Sequence, residues 1–321
     1  FAACRSKHPM AQHTPRSADP FAQVDSLADA GLPASALERS EALRMAAVAS
    51  GDQAAEYRGW LYRLRFHAEL GQELQADIEA LEQRAGAAPI PLSNLLWSAA
   101  GQHWWSHYQQ RRWEVLQRSA QGGAAGPDAN TWTVGQYSDR VRLCFHRALA
   151  DADTLAKLPA TVLGDAVEDA QAPDAYLRPT VYDLVAHRAL DVLTQPETQL
   201  QGGGRPFLLD DPGYFTLFEP WAFMKLAHAD SAAWGLEVLR IHQRLERIHL
   251  NRDPIDVLVN ATLERLAHVH IQSVLAERDS LYMASLEVLR SRLPNDSCWS
   301  AVTARLAARY SAQVDRYDRL G

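Results

Sequence analysis

Two histidines one helical turn apart, His103 and His107, are the closest approach to a metal site in this sequence. Side chains at positions i and i+4 share one face of an α-helix, and zinc-binding helices place two imidazoles in this way. In the HExxH motif of zinc hydrolases, a glutamate follows the first histidine and serves as the general base. Trp104 occupies that position here, so we expect no metal site. A metal-dependent hydrolase is therefore the least favoured functional class.

Three other patterns contain residue types that bind metals or phosphates, but each lacks the spacing that the chemistry needs. His268 and His270 are two residues apart, which puts their rings on different faces of a helix. The acidic run Asp210–Gly213 has the composition of a turn and lacks the ligand spacing of a calcium loop. The glycines at 202–204 are not followed by the GK[ST] of a phosphate-binding loop. We therefore predict no metal ion and no cofactor.

Asp183 and His187 form the remaining candidate pair, one turn apart within the stretch 177–190. They could act as an acid and a base if a cleft opened beside them. The stretch is apolar around most of its circumference, so as a helix it needs neighbours on several sides. Buried polar groups are as a rule hydrogen-bonded. We therefore predict a structural role for Asp183 and His187, which would bind a neighbouring helix or the backbone of a loop.

The composition is typical of a globular protein, since 47% of the 321 residues are hydrophobic and 22% are charged. The formal net charge is -7. Neutralising phosphates requires a concentrated basic surface, which cannot be read from this sequence, so we predict no nucleic-acid partner. No run approaches the roughly 18 apolar residues of a membrane span.

Apolar residues recur at spacings of three and four along most of the chain, which predicts amphipathic helices. The series Trp234, Val238, Ile241, Leu245 and Ile248 is one example. No sustained period-two alternation with β-branched residues occurs, so strands should be few or absent. Helices that are joined by short turns pack antiparallel. The predicted fold is all-α, an antiparallel array of helical hairpins similar to a tetratricopeptide α-solenoid.

The domain organisation follows from where this helical pattern is interrupted. Residues 1–18 contain Pro9 and Pro15, and they predict a flexible N-terminal tether. Residues 19–321 are predicted to form the helical-repeat domain. Within it, the Gly- and Pro-rich run 120–127 marks a candidate subdomain break near residues 120–130.

Three cysteines are present, and their spacing excludes a metal ribbon or a CxxC redox motif. Cys4 follows Phe1-Ala2-Ala3, which resembles the end of a bacterial lipoprotein signal with Cys4 as the lipid-bearing residue. The alternative is that the chain begins there by chance. Cys144 and Cys298 could pair in an oxidising compartment, but two buried free thiols are the favoured interpretation.

Several short runs together resemble the N-terminal helical region of large bacterial proteins of the alpha-2-macroglobulin family. The resemblance covers about residues 21 to 225. It is carried by the runs Phe21-Ala-Gln-Val-Asp-Ser-Leu27, Gly31-Leu-Pro-Ala-Ser-Ala-Leu37, Leu61-Tyr-Arg-Leu64, Tyr108-Gln-Gln-Arg-Arg-Trp113, Thr131-Trp132 and Leu177-Arg-Pro-Thr-Val-Tyr-Asp-Leu-Val-Ala-His187.

The resemblance implies an exported bacterial protein, periplasmic or anchored to the outer membrane, whose later domains act as a protease trap. The thioester motif of that family, Cys-x-Glu-Gln, is absent from this chain, so no trapping residue can be assigned. The implied function is a non-catalytic helical scaffold or protein-interaction region. Its partners would be the rest of its own longer chain and another protein, with contact to a membrane only through a lipid on Cys4. A stand-alone peptide-binding helical-repeat module is the alternative.

Overall fold

Helices dominate the residues that the structure describes, and no β-strand occurs among them. The computed structural model describes residues 19–118, 125–166, 174–199, 207–226, 233–252, 254–293 and 298–318. Isolated backbone bridges join Pro159 to Thr180 and Leu209 to Ser273. The all-α prediction is thereby confirmed. The chain divides into two compact units, with the boundary between Leu74 and Gln75.

The described part of the first unit contains three helices, α1 (Ala22–Asp29), α2 (Pro33–Ser50) and α3 (Gln53–Glu69). Gly51 ends α2 with a φ of +74°, a backbone conformation that glycine adopts without strain. The carboxylate of Asp52 then caps α3 by accepting the amide hydrogen of Ala55. The backbones of α2 and α3 approach closely at Gly59, where an added Cβ would lie 2.6 Å from Cβ of Arg44.

In its described residues, the second unit begins with six helices, one of which is the long, apolar α5. Their bounds are α4 (Gln75–Ala87), α5 (Leu92–Gln110), α6 (Arg112–Leu116), α7 (Val134–Ala148), α8 (Ala152–Leu155) and α9 (Val181–Leu193). Helix α5 packs against α4, α7 and α9. Large rings from α5, α7 and the segment between α6 and α7 are buried together, namely Trp104, Tyr108, Trp132 and Tyr137.

The sequence pattern predicts one helix from Leu92 to about Gln117, and this prediction is wrong. Helix α5 ends at Gln110, and a turn at Arg111 separates it from the short α6. The side chain of Arg111 binds Asn130 and that of Arg112 binds Glu197, so contacts with distant segments override the helical periodicity. As a result Trp113 is 73% exposed rather than buried with the other rings.

The second unit continues with five helices around a separate apolar core. They are α10 (Glu219–Ala222), α11 (Trp234–His249), α12 (Ile255–Gln272), α13 (Arg278–Arg292) and α14 (Trp299–Asp318). The core residues come from every one of these helices, and they include Trp221, Leu239, Leu263, Leu266, Leu286, Leu289 and Leu306. Helix α9 packs against both α5 and α11, and 11 of its 13 residues are buried.

Successive helices pack closely as the pairs α2 with α3, α4 with α5, α11 with α12 and α13 with α14, which agrees with an array of helical hairpins. A tetratricopeptide-like repeat remains a prediction. The predicted tether, residues 1–18, lies outside the described residues, as do residues 120–124 of the predicted subdomain break. In the described part of the chain, no helix has both the length and the apolar character that a membrane span needs.

Candidate functional site

The start of α9 is fixed by a reciprocal capping arrangement between Thr180 and Asp183. The backbone N–H and the hydroxyl of Thr180 both donate to Oδ2 of Asp183, at 2.9 and 2.7 Å. The backbone N–H of Asp183 donates in return to Oγ1 of Thr180 at 3.2 Å. This capping box satisfies amide groups that have no partner within the helix, and it holds Asp183 in one orientation.

The second carboxylate oxygen of Asp183 reaches across to α11. Nε2 of His249 donates to Oδ1 of Asp183 at 2.7 Å, and both side chains are almost completely buried. Asp183 therefore uses one oxygen to cap its own helix and the other to bind a neighbouring helix. Neither oxygen is directed into a cleft.

His187, one turn further along α9, binds the backbone of its own helix and a carboxylate of α12. Its Nδ1 donates to the carbonyl oxygen of Asp183 at 2.7 Å. Its Nε2 lies 2.9 Å from Oε2 of Glu264, an ion-pair distance, although the contact lacks the alignment of a hydrogen bond. Asn260 donates to the other oxygen of Glu264 at 3.0 Å.

These contacts determine the charge of the pair formed by His187 and Glu264. Burial by itself would lower the pKa of His187, but Glu264 and the carbonyl of Asp183 raise the pKa above its ordinary value. If the ring were neutral with its hydrogen on Nδ1, the lone pair of Nε2 would face the carboxylate of Glu264. Burial also works against ionisation of Glu264, yet His187 and Asn260 lower the pKa of that carboxyl group. The pair is therefore held in its charged form.

A second ion pair, between Glu246 of α11 and Arg265 of α12, has no solvent exposure in either side chain. Nε of Arg265 donates to Glu246 at 2.5 Å, and Thr262 donates to the second carboxylate oxygen at 2.9 Å. The remaining nitrogens of Arg265 donate to the carbonyl oxygens of Tyr214 and Thr216. Arg265 thus fastens the segment before α10 to α12.

His242 of α11 is 3% exposed, and neither of its ring nitrogens has a hydrogen-bond partner among the described residues. Its ring centroid lies 5.5 Å from that of His268 on α12. Burial, together with His268, Arg265 and His187, lowers the pKa of His242 well below its ordinary value. Burial also lowers the pKa of His268, to about 4.

We call this group of buried and partly buried side chains between α9, α11 and α12 the polar seam. Its members are Asp183, His187, His242, Glu246, His249, Glu264, Arg265 and His268. Its carboxylates are each bound by a cation or an imidazole of another helix. Such pairs fix the relative positions of helices, whereas an acid/base pair needs access to a substrate. The arrangement is therefore suited to holding helices together.

The predicted candidates outside the polar seam lie apart from it. Nδ1 of His107 is 2.9 Å from the hydroxyl of Tyr137, which itself donates to the carbonyl of Ala129. Burial lowers the pKa of His103 to about 4. Within the described residues, no group of three histidine, cysteine or acidic side chains is placed to hold a metal ion.

The other sequence patterns have local roles where the structure describes them. His270 binds Asp279, and Asp211 accepts the amide hydrogen of Gly213 in a turn. Neither Cys144 nor Cys298 is in a disulfide, as the favoured interpretation predicted, but only Cys144 is buried, whereas Cys298 is partly exposed. Cys4 and the glycines at 202–204 lie outside the described residues.

Sequence reasoning missed five members of the polar seam, although one signal was available. On α11, His242, Glu246 and His249 recur at spacings of four and three beside the apolar stripe of that helix. On α12, the missed residues are Glu264 and Arg265, and Arg265 lies three residues before His268. Polar residues at helical spacing inside an apolar pattern indicate a buried polar face. Their pairing across helices depends on tertiary packing, which the spacing does not give.

An open groove with a volume of about 340 Å³ lies between α13 and the segment that precedes α10. We call it the α13 groove. Its lining is mostly apolar and consists of Pro212, Phe215, Thr216, Leu217, Pro220, Leu281, Ala284, Ser285, Val288 and Arg292. The hydroxyls of Thr216 and Ser285 donate to backbone carbonyls, so they are used within the protein. Arg292 is the one charged side chain of this lining.

Comparisons of this chain with models of protein families, with characterised proteins and with solved structures found no match.

Proposed function

We propose that this chain is a non-catalytic helical scaffold that binds a protein segment, as part of an exported protein of the alpha-2-macroglobulin type. The observation that carries the proposal is the contrast between the polar seam and the α13 groove. The carboxylates of the polar seam are each bound to a side chain of another helix. The open groove is apolar, and apolar grooves on helical arrays are suited to binding peptide segments.

The chemistry of the α13 groove favours one kind of occupant, an apolar peptide segment that carries a carboxylate. Val288 is 44% exposed although it is a large apolar residue, which suits it to contact a partner. Arg292 lies at the same groove, and its guanidinium is 5.4 Å from the ring of Phe218. The described lining of the groove supplies no carboxylate for Arg292, so a carboxylate of the partner would form an ion pair with it.

We expect Val288→Asp to weaken binding of the partner segment at least about tenfold, because it places a carboxylate in an apolar groove near the site for another carboxylate. The measurement is a titration of the purified chain with the polypeptide that the gene encodes after Gly321, expressed separately. Val48→Asp is a matched control, since Val48 is 40% exposed on α2 and does not line the groove.

Two results would contradict the scaffold proposal. The first is a gene that continues without β-sandwich domains and without a Cys-x-Glu-Gln run, which would favour a stand-alone peptide-binding module. The second is stoichiometric zinc in the purified protein that is lost in a His103→Ala, His107→Ala double variant. Such zinc would favour the metal-dependent hydrolase.

Export with a lipid on Cys4 is part of the same proposal and has its own test. We expect the full-length protein to partition into detergent, because a lipid chain adds apolar surface. We also expect its processing to be sensitive to globomycin, as for a lipoprotein signal. The Cys4→Ser variant should lose both properties. A Cys4→Ser variant that fractionates in the same way as the protein of unchanged sequence would refute lipidation.

A further inference from the structure

The polar seam contains two imidazoles, those of His242 and His268, that its carboxylates leave unpaired. Oε1 of Glu246 is taken up by Arg265, and Oε2 by Thr262. Asp183 binds His249. Glu264 is paired with His187, at a distance of 2.9 Å. The carboxylates around His242 are therefore already engaged.

The charged groups that face His242 from the helices packed on α11 are cationic or already paired. Helix α12 presents Arg265 and His268, and helix α9 presents His187. Helix α10 carries one carboxylate, Glu219, and it is exposed to solvent. Within the part of the chain that the structure describes, a proton added to His242 would consequently meet positive charge and no free counter-ion.

Groups from other elements bind positions of α11 and α12 away from this histidine pair. Arg142 of α7 binds Glu237, and Asp153 of α8 binds Arg244. On the far side of α12, Asp279 of α13 binds His270 rather than His268. Among the described residues, these ion pairs leave the interior of the polar seam without a further acid.

We propose that the polar seam is an acid-sensitive switch, in which neutral His242 and His268 allow α11 and α12 to pack closely and protonation of both loosens that packing. A buried imidazolium without a partner carries a large desolvation penalty, and a second one 5.5 Å away would add repulsion. Exposure of the two rings to water removes both penalties.

The sign of the pH dependence follows from the directions of the pKa shifts. The pKa values of His242 and His268 are lowered in the folded protein. The stability that their neutral rings give to the closed seam is therefore fully present above the unfolded pKa of 6.5 and is lost as the pH falls below it. His187 acts in the opposite direction, because its pKa is raised. Each histidine whose pKa is lowered increases the equilibrium constant for opening about 30-fold between about pH 7.5 and about pH 5. We expect a net increase of at least about 30-fold in opening.

Amide hydrogen exchange, measured by mass spectrometry at about pH 7.5 and about pH 5 and corrected for intrinsic rates, tests this proposal. Segments from α11 and α12 should lose protection at the lower pH, whereas α2, which contains no histidine, supplies an internal baseline. His242→Leu should reduce the acid response of α11 and α12 about 30-fold.

His268→Leu is the second variant, and it carries the test if His242→Leu does not fold. His146→Leu is the control, because His146 is exposed on α7, and it should respond as the unmodified protein does. The proposal is overturned if α11 and α12 lose no more protection than α2. It is equally overturned if both leucine variants keep the full acid response.

Discussion

Replacing Arg265 with alanine is expected to lower the free energy of unfolding by about 3–5 kcal/mol, the largest effect of any single substitution considered for this chain. Arg265 and Glu246 have no exposed side-chain surface, so the substitution leaves a buried carboxylate without its cation. It also removes donors from the carbonyl oxygens of Tyr214 and Thr216. Urea denaturation followed by circular dichroism measures the loss.

Two control variants separate the buried charge from the loss of an arginine in general. Arg39→Ala changes an exposed arginine of α2 and should alter the free energy of unfolding by no more than about 0.5 kcal/mol. The double variant Glu246→Leu, Arg265→Met removes both charges and should be less destabilised than Arg265→Ala, because no unpaired charge remains. If Arg265→Ala were as stable as Arg39→Ala, the ion pair would have no structural role.

Asp183→Ala is expected to lower the free energy of unfolding by about 2–4 kcal/mol. The lost half of the capping box accounts for about 1 kcal/mol, since the carboxylate of Asp183 accepts the amide hydrogen and the hydroxyl of Thr180. The unpaired ring of His249 adds about 1–3 kcal/mol, because its Nε2 loses a buried acceptor. Thermal unfolding and urea denaturation both measure this effect.

Glu38→Ala is the control for Asp183→Ala, as it removes an exposed carboxylate from α2. We expect it to change the free energy of unfolding by no more than about 0.5 kcal/mol. An Asp183→Ala protein with the stability of Glu38→Ala would mean that the cap and the bond to His249 contribute little.

The helical class could be predicted because each local signal acts over a few residues. Gly51 and Asp52 mark the end of α2 and the start of α3 by their own backbone and capping preferences. The division at α5 and α6 could not be predicted in this way. Arg111 and Arg112 bind Asn130 and Glu197, and a local periodicity contains no information about such distant partners.

The candidate site was predictable in part for the same reason. Thr180 and Asp183 are three residues apart, so their capping arrangement follows from local geometry. The partners of Asp183 and His187 lie 66 and 77 residues further along the chain, at His249 and Glu264. Only the packing of α9 against α11 and α12 brings them together.

A double-mutant cycle on Asp183 and His249 tests most directly the central claim that the ionisable groups of the polar seam hold helices together. The free energy of unfolding is measured for the unmodified chain, Asp183→Ala, His249→Ala and the double variant. We predict a coupling energy of about 1–3 kcal/mol, as expected for a buried, charge-assisted hydrogen bond between helices. A coupling energy indistinguishable from zero, with all four proteins folded, would contradict the account.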